Sequence, residues 1–335
     1  MSSPVPSPPA GPVAAPWTPA VARSRARRPL VRADDLYRGV LEALCVLVLL
    51  VIALIVWECA HGALPSIRAS GLRFLVGTDW DPITDRYGAL PYLCGTLMTS
   101  ALAMLLAVPT GIGAAVFLAE LATPWVGEAI SFVIELLASI PSIVFGIWGV
   151  FVLAPWLRSA LEPWLIAHLG FLPLFQGFPF GLGILNAGIV LAIMVVPTVT
   201  ALSREILRSM PRSLSEAALA LGATRAEGLG VTLDAARPGL LGACILALGR
   251  ALGETMAVTM VIGNSNRITA SLLAPGATMA SVIANEFTEA TGKLYLSALI
   301  EIALVLFALT LVVNAIARLL VHFATGGRRD VAGAA

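Results

Sequence analysis

Six long apolar runs constrain this chain more than any other feature of its sequence. They lie at about residues 39–58, 92–119, 130–154, 182–202, 239–263 and 297–321. A helix rises 1.5 Å per residue, so about 20 residues cross the roughly 30 Å of bilayer hydrocarbon. Only 12% of the residues are charged, against about 25% in ordinary soluble domains. The sequence therefore predicts an all-α polytopic membrane protein with six transmembrane helices.

The distribution of arginine predicts how these helices are oriented. Cytoplasmic loops of membrane proteins carry an excess of Lys and Arg. Here arginines concentrate before the first run, between the fourth and fifth, and after the sixth. Six spans place these three segments on one side, which predicts that both termini are cytoplasmic. Residues 1–38 are expected to be a disordered basic tail, 39–323 the membrane domain and 324–335 a short cytoplasmic tail.

The remaining segments are expected to connect the spans. Residues 59–91 and 264–296 form external loops in this interpretation, and 275–287 are suited to an amphipathic helix within the second of them. Residues 164–181 are apolar but interrupted by five Gly and Pro residues, which favours a loop over a seventh span. The cytoplasmic loop between the fourth and fifth spans is expected at 203–238.

The chain lacks the usual signatures of enzymes and metalloproteins. It has no G-x-x-x-x-G-K-[ST] phosphate loop, no nucleophile–base arrangement and no Cys/His spacing typical of a metal site. We therefore expect no catalytic residue, no metal and no cofactor bound by this chain. Free apolar thiols are the favoured interpretation of its four cysteines, with a Cys59–Cys94 disulfide as the alternative.

The fifth run contains two charged residues, Arg250 and Glu254, in the stretch GRALGETMAV. A charge at the centre of a membrane helix costs about 2.5–3.5 kcal/mol on insertion scales, and such residues usually face a bundle interior. Four residues apart, they share one face of a continuous helix and can pair. The pair is either structural or part of an anion path, because a guanidinium presents donors suited to oxyanions. In the path, Glu254 would hold Arg250 when no anion is present.

Small residues and serines predict how two spans pack and bend. Gly249, Gly253 and Ala257 form a stripe of small side chains beside the charged face, where another helix can approach closely. Ser139 and Ser142 flank a proline, which predicts a local break in the third span. Their hydroxyls either line a substrate path or accompany a packing kink.

The loop between the fourth and fifth runs predicts two short helices joined by a glycine turn. Ser213 and Glu216 have the S-x-x-E spacing of a capping box, and Thr224 and Glu227 have the equivalent T-x-x-E spacing. Gly222, between them, is suited to a left-handed helix end. The loop is either an ordinary connection or a rigid projection that docks a partner protein.

This loop also carries a family resemblance. The EAA motif of ABC-importer permeases is matched by Glu216, Ala217, Ala218 and Gly222. Longer stretches similar to the permease of the phosphate-specific ABC importer lie at residues 77–82, 87–100, 135–149, 249–264 and 275–287. They resemble its PstC-type rather than its PstA-type subunit and cover most of residues 70–320. One departure is Asp234, which stands where the motif usually has a proline.

The resemblance implies a type I ABC-importer permease fold and a transport subunit in the bacterial cytoplasmic membrane. It implies pairing with a second, PstA-like permease, two PstB-like ATPase subunits that use ATP, and an external PstS-like phosphate-binding protein. The coupling loop would dock the ATPase through Glu216, Ala217, Ala218 and Gly222. Phosphate would pass Arg250, Glu254, Ser139 and Ser142 by alternating access. Membrane lipid surrounds the chain, and no nucleic acid partner is expected.

Three alternatives remain at this stage. The cargo is another oxyanion, such as molybdate or sulfate, because one arginine does not distinguish tetrahedral anions. The chain is an ATPase-independent secondary transporter, although the EAA loop and the lack of an internal repeat argue against this. The chain is a structural or sensory membrane subunit that transports nothing, which uptake assays would decide.

Overall fold

A computed structural model of the protein describes residues 30–325, and the side chains of residues 35–323. Its helices are α1 (Leu30–Ser70), α2 (Arg73–Val76), α3 (Leu90–Val116), α4 (Pro124–Ser139), α5 (Ser142–Trp148), α6 (Ala154–Trp156), α7 (Glu162–Leu169), α8 (Ile184–Ser209), α9 (Ser213–Ala220), α10 (Arg225–Gly253), α11 (Met256–Val261), α12 (Met279–Glu286) and α13 (Lys293–Thr325). Wider π-helical turns occupy Phe117–Leu121, Gly149–Leu153 and Leu157–Leu161, and Pro173–Phe175 forms a 3-10 turn. Two short antiparallel strands, β1 (Trp80–Asp81) and β2 (Arg86–Tyr87), pair in register.

The prediction of six membrane spans is confirmed for the described residues. The helical stretches long and apolar enough to cross a bilayer are Asp35–Ser70, Leu90–Leu121, Ser142–Leu169, Ile184–Ser209, Arg225–Gly253 and Lys293–Phe323. The first part of α1, up to Leu54, forms a unit separate from the rest of the chain. Every side chain from 35 to 54 is exposed, and most of them are apolar, as expected of a helix whose solvent is lipid.

The third span begins twelve residues later than the predicted 130. Residues 130–139 belong to a separate helix, α4, and the chain breaks at Ile140 and Pro141 before α5 starts at Ser142. Ile140 is extended (φ −66°, ψ 130°) because a residue that precedes proline is disfavoured in the α conformation. Composition did not reveal this boundary, because α4 is as apolar as the span that follows it.

The other boundaries also moved. The third span continues to Leu169, so residues 164–169 are helical, and the loop predicted at 164–181 is confirmed only after them. The α8 helix extends to Ser209 and α10 starts at Arg225, so the segment between them is much shorter than 203–238. The helix expected within 275–287 is confirmed as α12.

Most of the two predicted tails lie outside the described residues. Residues 1–29 and 326–335 are not described, so the disorder predicted for the N-terminal tail is tested only at its end. There it is wrong, because α1 already starts at Leu30, well before the predicted boundary at residue 38. The cytoplasmic location of the termini stays a prediction.

The core of the chain from Ile55 onward centres on α8, the most buried of the spans. Fully buried alanines of α3, Ala103 and Ala107, pack with valines of α8, and α10 and α11 complete the same cluster. Small side chains allow this close packing: a Cβ on Gly111 of α3 would lie only 2.8 Å from the Val199 side chain. Close approach through small residues is the usual way that membrane helices associate.

The β1–β2 hairpin packs against α12 and α13 through aromatic side chains. The Trp80 ring contacts Tyr87 and Tyr92 edge-on, with centroids 5.0 and 5.1 Å apart. The carboxylate of Glu286 accepts hydrogen bonds from Trp80 Nε1 at 2.7 Å and from Tyr295 Oη at 2.8 Å. This cluster fixes the connection between α1 and α3 onto the connection between α11 and α13.

Candidate functional site

The stretch GRALGETMAV contains a helix break rather than a continuous helix. The α10 helix ends at Gly253, Glu254 is extended (φ −67°, ψ 128°), and α11 starts at Met256. The predicted single face that joins Arg250 to Glu254 is therefore wrong, because that face requires an unbroken helix between them. Among the described residues, no ion pair joins these two side chains.

Glu254 instead bonds to the helix that follows it. Its Oε1 accepts a hydrogen bond from the backbone N–H of Ala257 at 3.4 Å, in the first turn of α11. The first N–H groups of a helix have no partner within the helix, and a carboxylate there is favourable. Glu254 thus stabilises the start of α11, which is a role for the carboxylate that does not involve Arg250.

Arg250 lies in the last turn of α10 with its side chain exposed. Its Nη1 donates a hydrogen bond to the Thr198 hydroxyl on α8 at 3.5 Å, the long limit for such a bond. Thr198 follows Pro197, which lies inside α8. The guanidinium therefore keeps most of its five donors available for another acceptor.

The predicted break in the third span is confirmed, and it lies level with the break between α10 and α11. A Cβ on Gly146 of α5 would lie 3.1 Å from Ala257 Cα and 2.8 Å from Met260 Sδ of α11, and one on Gly149 would lie 2.7 Å from Val261. The later residue of the first segment, Gly149, contacts the later residue of the second, Val261. The α5 and α11 helices therefore run parallel. The α5 helix begins four residues before Gly146, and α11 begins one residue before Ala257, so their N-termini lie within about one turn of each other.

The two serines at the first break have different surroundings. Ser142 is half-buried and is the first residue of α5, level with the break at Glu254. Ser139 is exposed, and its hydroxyl donates to Leu136 O of its own helix at 2.7 Å. Of the predicted path residues, the structure therefore places Ser142 and Glu254 at adjacent breaks and pairs Arg250 with Thr198. Their role in transport stays a prediction.

The predicted stripe of small residues does not form one packing surface, because the helix ends within it. A Cβ on Gly249 would lie 3.6 Å from Asn314 Nδ2 on α13, whereas one on Gly253 would meet no atom within 4 Å. Ala257 is fully buried on α11 and faces Gly146. The close contact at this level is made by Gly146, which belongs to no motif identified in the sequence.

The predicted helix, glycine turn and helix are confirmed between the fourth and fifth spans. Glu216, Ala217 and Ala218 lie on α9, and Gly222 has the left-handed φ of +91° that ends it. The first predicted capping box is wrong: the cap residue is Arg212, and Ser213 already lies inside the helix without a side-chain cap bond. The helix therefore starts one residue earlier than predicted, with Ser213 as its first residue.

The second predicted capping box is confirmed at the start of α10. Glu227 Oε2 accepts from the Thr224 backbone N–H at 2.7 Å and from its hydroxyl at 2.9 Å, while Glu227 N donates to Thr224 Oγ1 at 3.4 Å. The α9 helix packs on this same turn, since a Cβ on Gly228 would lie 3.6 Å from Ser215 O and 3.9 Å from Leu219 Cγ. Leu221, at the tip between the helices, is 90% exposed.

Two cavities with charged lining residues lie beside the C-terminal part of α8. The larger, of about 570 Å³, separates α9 from the connection between α3 and α4, and its charged lining residues are Glu120, Arg208, Arg212 and Glu216. The smaller, of about 240 Å³, lies between α4 and α8, and its charged lining residues are Glu135, Arg204, Glu205 and Arg208. Glu216 of the EAA-like motif thus faces a groove beside a spanning helix.

In the side chains described, no cluster of His, Cys, Asp or Glu could hold a metal ion, and the four cysteines are free thiols.

The chain is similar in sequence to membrane proteins of transport systems. Residues 107–324 match the family model described as "Binding-protein-dependent transport system inner membrane component". The chain is 42% identical over 290 residues to the "Phosphate transport system permease protein PstC" of Mesorhizobium japonicum, covering 85% of this chain and 89% of that protein. It is 44% identical over 291 residues to the protein of the same name from Pasteurella multocida, and the match covers 85% of this chain and 91% of that protein. A more distant relative is "Phosphate transport system permease protein PstC 2" of Mycobacterium tuberculosis, which is 38% identical over 300 residues. This match covers 87% of this chain and 92% of that protein.

A solved structure shares the fold. The chain superposes on a structure described as "Inward facing conformations of the MetNI methionine ABC transporter" with a TM-score of 0.50 and 16% sequence identity. The superposition covers 73% of this chain and 98% of that one. At this identity the similarity shows the fold alone, and it agrees with the arrangement of spans described above.

Proposed function

The chain belongs to the family of binding-protein-dependent transport system inner membrane components, and we infer that it is the permease subunit of a phosphate ABC importer. The observation that carries this conclusion is the 42–44% identity, over at least 85% of the chain, to proteins named as PstC phosphate permeases. The molybdate or sulfate alternative is not favoured, because these relatives are named for phosphate. The chain is a multi-pass membrane protein and a transport subunit.

The break between α10 and α11 supports a phosphate path past Arg250. Membrane transporters commonly bind ions at discontinuous helices, where backbone groups released from the helix face a polar site. Here the N-termini of α5 and α11 lie side by side, and the start of a helix carries partial positive charge. Arg250 adds a full charge and a fork of donors that suits phosphate oxygens. Thr198 orients that guanidinium from α8.

The position of Glu254 changes its proposed part in the path. It does not neutralise Arg250 by pairing, since its carboxylate bonds to Ala257 N in α11. We propose that it holds the break open and places a negative charge beside the path. That charge weakens phosphate binding enough for release, while the half-buried Ser142 offers a hydroxyl at the same level.

The continuous α10 helix supports a direct mechanical link from the docking segment to Arg250. From Arg225 to Arg250 the helix rises about 38 Å at 1.5 Å per residue. At its first turn α10 packs against α9 through Gly228 and is capped by Thr224. Displacement of α9 by a bound ATPase would therefore move α10, and with it the arginine, toward the alternate state.

The partners follow from the same family membership and from the docking segment. We propose a second, PstA-like permease, two PstB-like ATPase subunits that hydrolyse ATP, and an external PstS-like phosphate-binding protein. The exposed α9–α10 turn with Leu221 at its tip would meet the ATPase, and the connections 59–91 and 264–296 would receive the binding protein. The chain itself would bind no cofactor, and the complex would lie in the bacterial cytoplasmic membrane.

The test is uptake of radiolabelled phosphate by cells that lack their own permease and express Arg250→Ala with its partner subunits. Hydrogen bonds to a charged group contribute about 1.5–3 kcal/mol, so uptake is expected to fall about 10- to 150-fold. Arg158→Ala is the matched control, because Arg158 is exposed on the third span about 24 Å beyond Ser142. Co-purification with the ATPase checks assembly.

Unchanged uptake by an assembled Arg250→Ala complex would refute the role of Arg250, though not the family assignment. Uptake of sulfate or molybdate in preference to phosphate by the unmodified complex would refute the phosphate assignment. Full uptake by this chain without an ATPase would refute the importer mechanism.

A further inference from the structure

The connection between α7 and α8 exposes an unusual number of aromatic side chains. This segment, residues 170–183, is called the aromatic loop below. Phe171 is 74% exposed and Phe178 62% exposed. Phe180 is 51% exposed, and its ring contacts that of Phe178 edge-on, with centroids 5.4 Å apart. Such a concentration of exposed phenylalanine is uncommon on water-facing surfaces and marks a contact with an apolar partner.

The aromatic loop is held firmly at its C-terminal end. The backbone N–H of Gly181 donates to Glu162 Oε2 at 2.9 Å, and the Gly181 carbonyl accepts from Asn186 Nδ2 at 2.8 Å. Both side chains are buried: Glu162 is 1% exposed and Asn186 is fully buried. A Cβ at residue 181 would lie 2.3 Å from Ala154 O. The loop is thus fastened to the spans on both sides of it.

The middle of the loop is fastened as well. Leu174 O accepts a hydrogen bond from Leu272 N at 2.8 Å, in the segment between α11 and α12. Phe175 packs with Leu272 and Leu273 in a small apolar cluster. Because the loop has internal partners, its exposed phenylalanines are presented on a fixed support and are not merely the apolar residues of a collapsed turn.

The absence of charge distinguishes this loop from the connection on the same side of the protein that contains the β1–β2 hairpin. No Asp, Glu, Lys or Arg occurs between Glu162 and Arg204. In the β1–β2 hairpin, by contrast, the single exposed isoleucine, Ile83, lies among Asp81, Asp85 and Arg86. A surface for a soluble protein usually has a polar rim, and the aromatic loop lacks charged residues for one.

The position of the loop identifies the apolar partner as lipid. The loop joins the end of α7 to the start of α8, so it lies where two spans leave the bilayer. The α7 helix that leads into the loop also exposes an aromatic side chain, Trp164, which is 53% exposed. Aromatic side chains are enriched at membrane–water interfaces. Irregular backbone is excluded from the hydrocarbon but can lie at headgroup depth, where water satisfies its polar groups.

We propose that residues 170–183 form an interfacial membrane anchor, in which Phe171, Phe178 and Phe180 insert at the boundary between headgroups and acyl chains. The attraction is apolar and requires no anionic lipid, because the loop has no basic residue. By anchoring the loop, the membrane surface holds the connection between α7 and α8 at a set depth. The proposal depends on the six spans and not on which ion is transported.

Depth measurement by spin labelling tests this anchor in the complex of permeases and ATPases, without the binding protein proposed to cover residues 59–91. All four native cysteines are replaced, the complex is placed in phosphatidylcholine nanodiscs with or without phosphatidylglycerol, and one label is attached at Phe178→Cys. Ile83→Cys is the matched control, because Ile83 is 94% exposed in a charged turn on the same side. Phe171→Cys provides a second position if the first variant does not assemble.

The label at residue 178 is expected to collide mainly with oxygen, which dissolves in lipid, and little with a water-soluble nickel chelate. The control label should show the opposite, and removal of phosphatidylglycerol should change neither result. Equal nickel accessibility at both positions would overturn the proposal, since the loop would then face water. Protection from both reagents would also overturn it, because a protein subunit would then cover the loop. Dependence on phosphatidylglycerol would contradict the apolar nature of the attraction.

Discussion

Replacing Thr224 by alanine is expected to loosen the first turn of α10, whereas replacing Ser213 should not affect its helix. Both residues have the spacing of a capping box in the sequence, and only Thr224 makes one. Thr224→Ala removes the hydroxyl that accepts from Glu227 N at 3.4 Å and donates to Glu227 Oε2 at 2.9 Å. Ser213 makes no cap bond that alanine would lose.

The size of the effect follows from the type and exposure of the lost bonds. Loss of a capping hydroxyl costs about 0.5–2 kcal/mol of helix stability. Thr224 and Glu227 are exposed, and the backbone bond from Thr224 N to Glu227 remains, so we expect about 1 kcal/mol. Hydrogen exchange at the first amides of α10 should therefore accelerate about fivefold, because local opening governs exchange there. Ser213→Ala should leave exchange in α9 unchanged or slightly slower, because alanine favours helix.

The assay is hydrogen exchange by mass spectrometry on the assembled complex, comparing peptides that cover residues 213–222 and 224–230. Co-purification of the ATPase shows that each variant has assembled. Equal exchange in Thr224→Ala and the unmodified protein would refute the capping argument. A larger effect at Ser213 than at Thr224 would show that the sequence pattern, and not the observed geometry, identifies the cap.

Two further predictions concern the contact of α9 with α10 and the β1–β2 hairpin. Gly228→Ala should keep phosphate uptake, because its Cβ would lie at ordinary contact distances of 3.6–3.9 Å from α9, whereas Gly228→Leu should displace α9 and reduce uptake at least tenfold; equal uptake would exclude this contact from coupling. The pKa of Tyr87 is raised from 10.0 to about 12, first by burial and second by the hydrogen bond to Asp85. The neutral hydroxyl therefore stabilises the folded state fully below pH 10, and this stabilisation is lost as the pH rises toward 12. An absorbance titration, taken as the difference from Tyr87→Phe, should show this pKa, and Asp85→Asn should lower it while leaving it above 10, since burial is the larger cause; a value of 10 in the unmodified protein would contradict the burial argument.

Much of the architecture was predictable because it depends on local composition. Run length alone indicated six spans, and each has a counterpart in the structure. The Thr224 cap and the Gly222 turn were predictable for the same reason, since their bonds join residues close in sequence. The exact ends of the spans were not predictable, because the apolar α4 lies next to the apolar third span and only Pro141 separates them.

The candidate path residues were chosen from the sequence, but the sequence did not predict how they are arranged. Arg250, Glu254 and Ser142 lie at or near two helix breaks, but the predicted pair between the first two does not form. Nothing between Gly253 and Met256 resembles a strong helix breaker, so periodicity extended α10 through Glu254. The bond between Arg250 and Thr198 joins residues 52 positions apart, and no local pattern indicates it.

The sequence by itself determined that the chain crosses the membrane six times, ends α9 at the Gly222 turn and carries charge in its fifth span. Each of these depends on residues within a turn or two of one another. The tertiary structure alone decided where the fifth span breaks and what its charges contact. The break is supported by the packing of α11 on α5, where Gly146 lets the two helices approach, and by Glu254, which bonds to the start of α11. That packing brings together segments more than a hundred residues apart, so only the folded chain contains it.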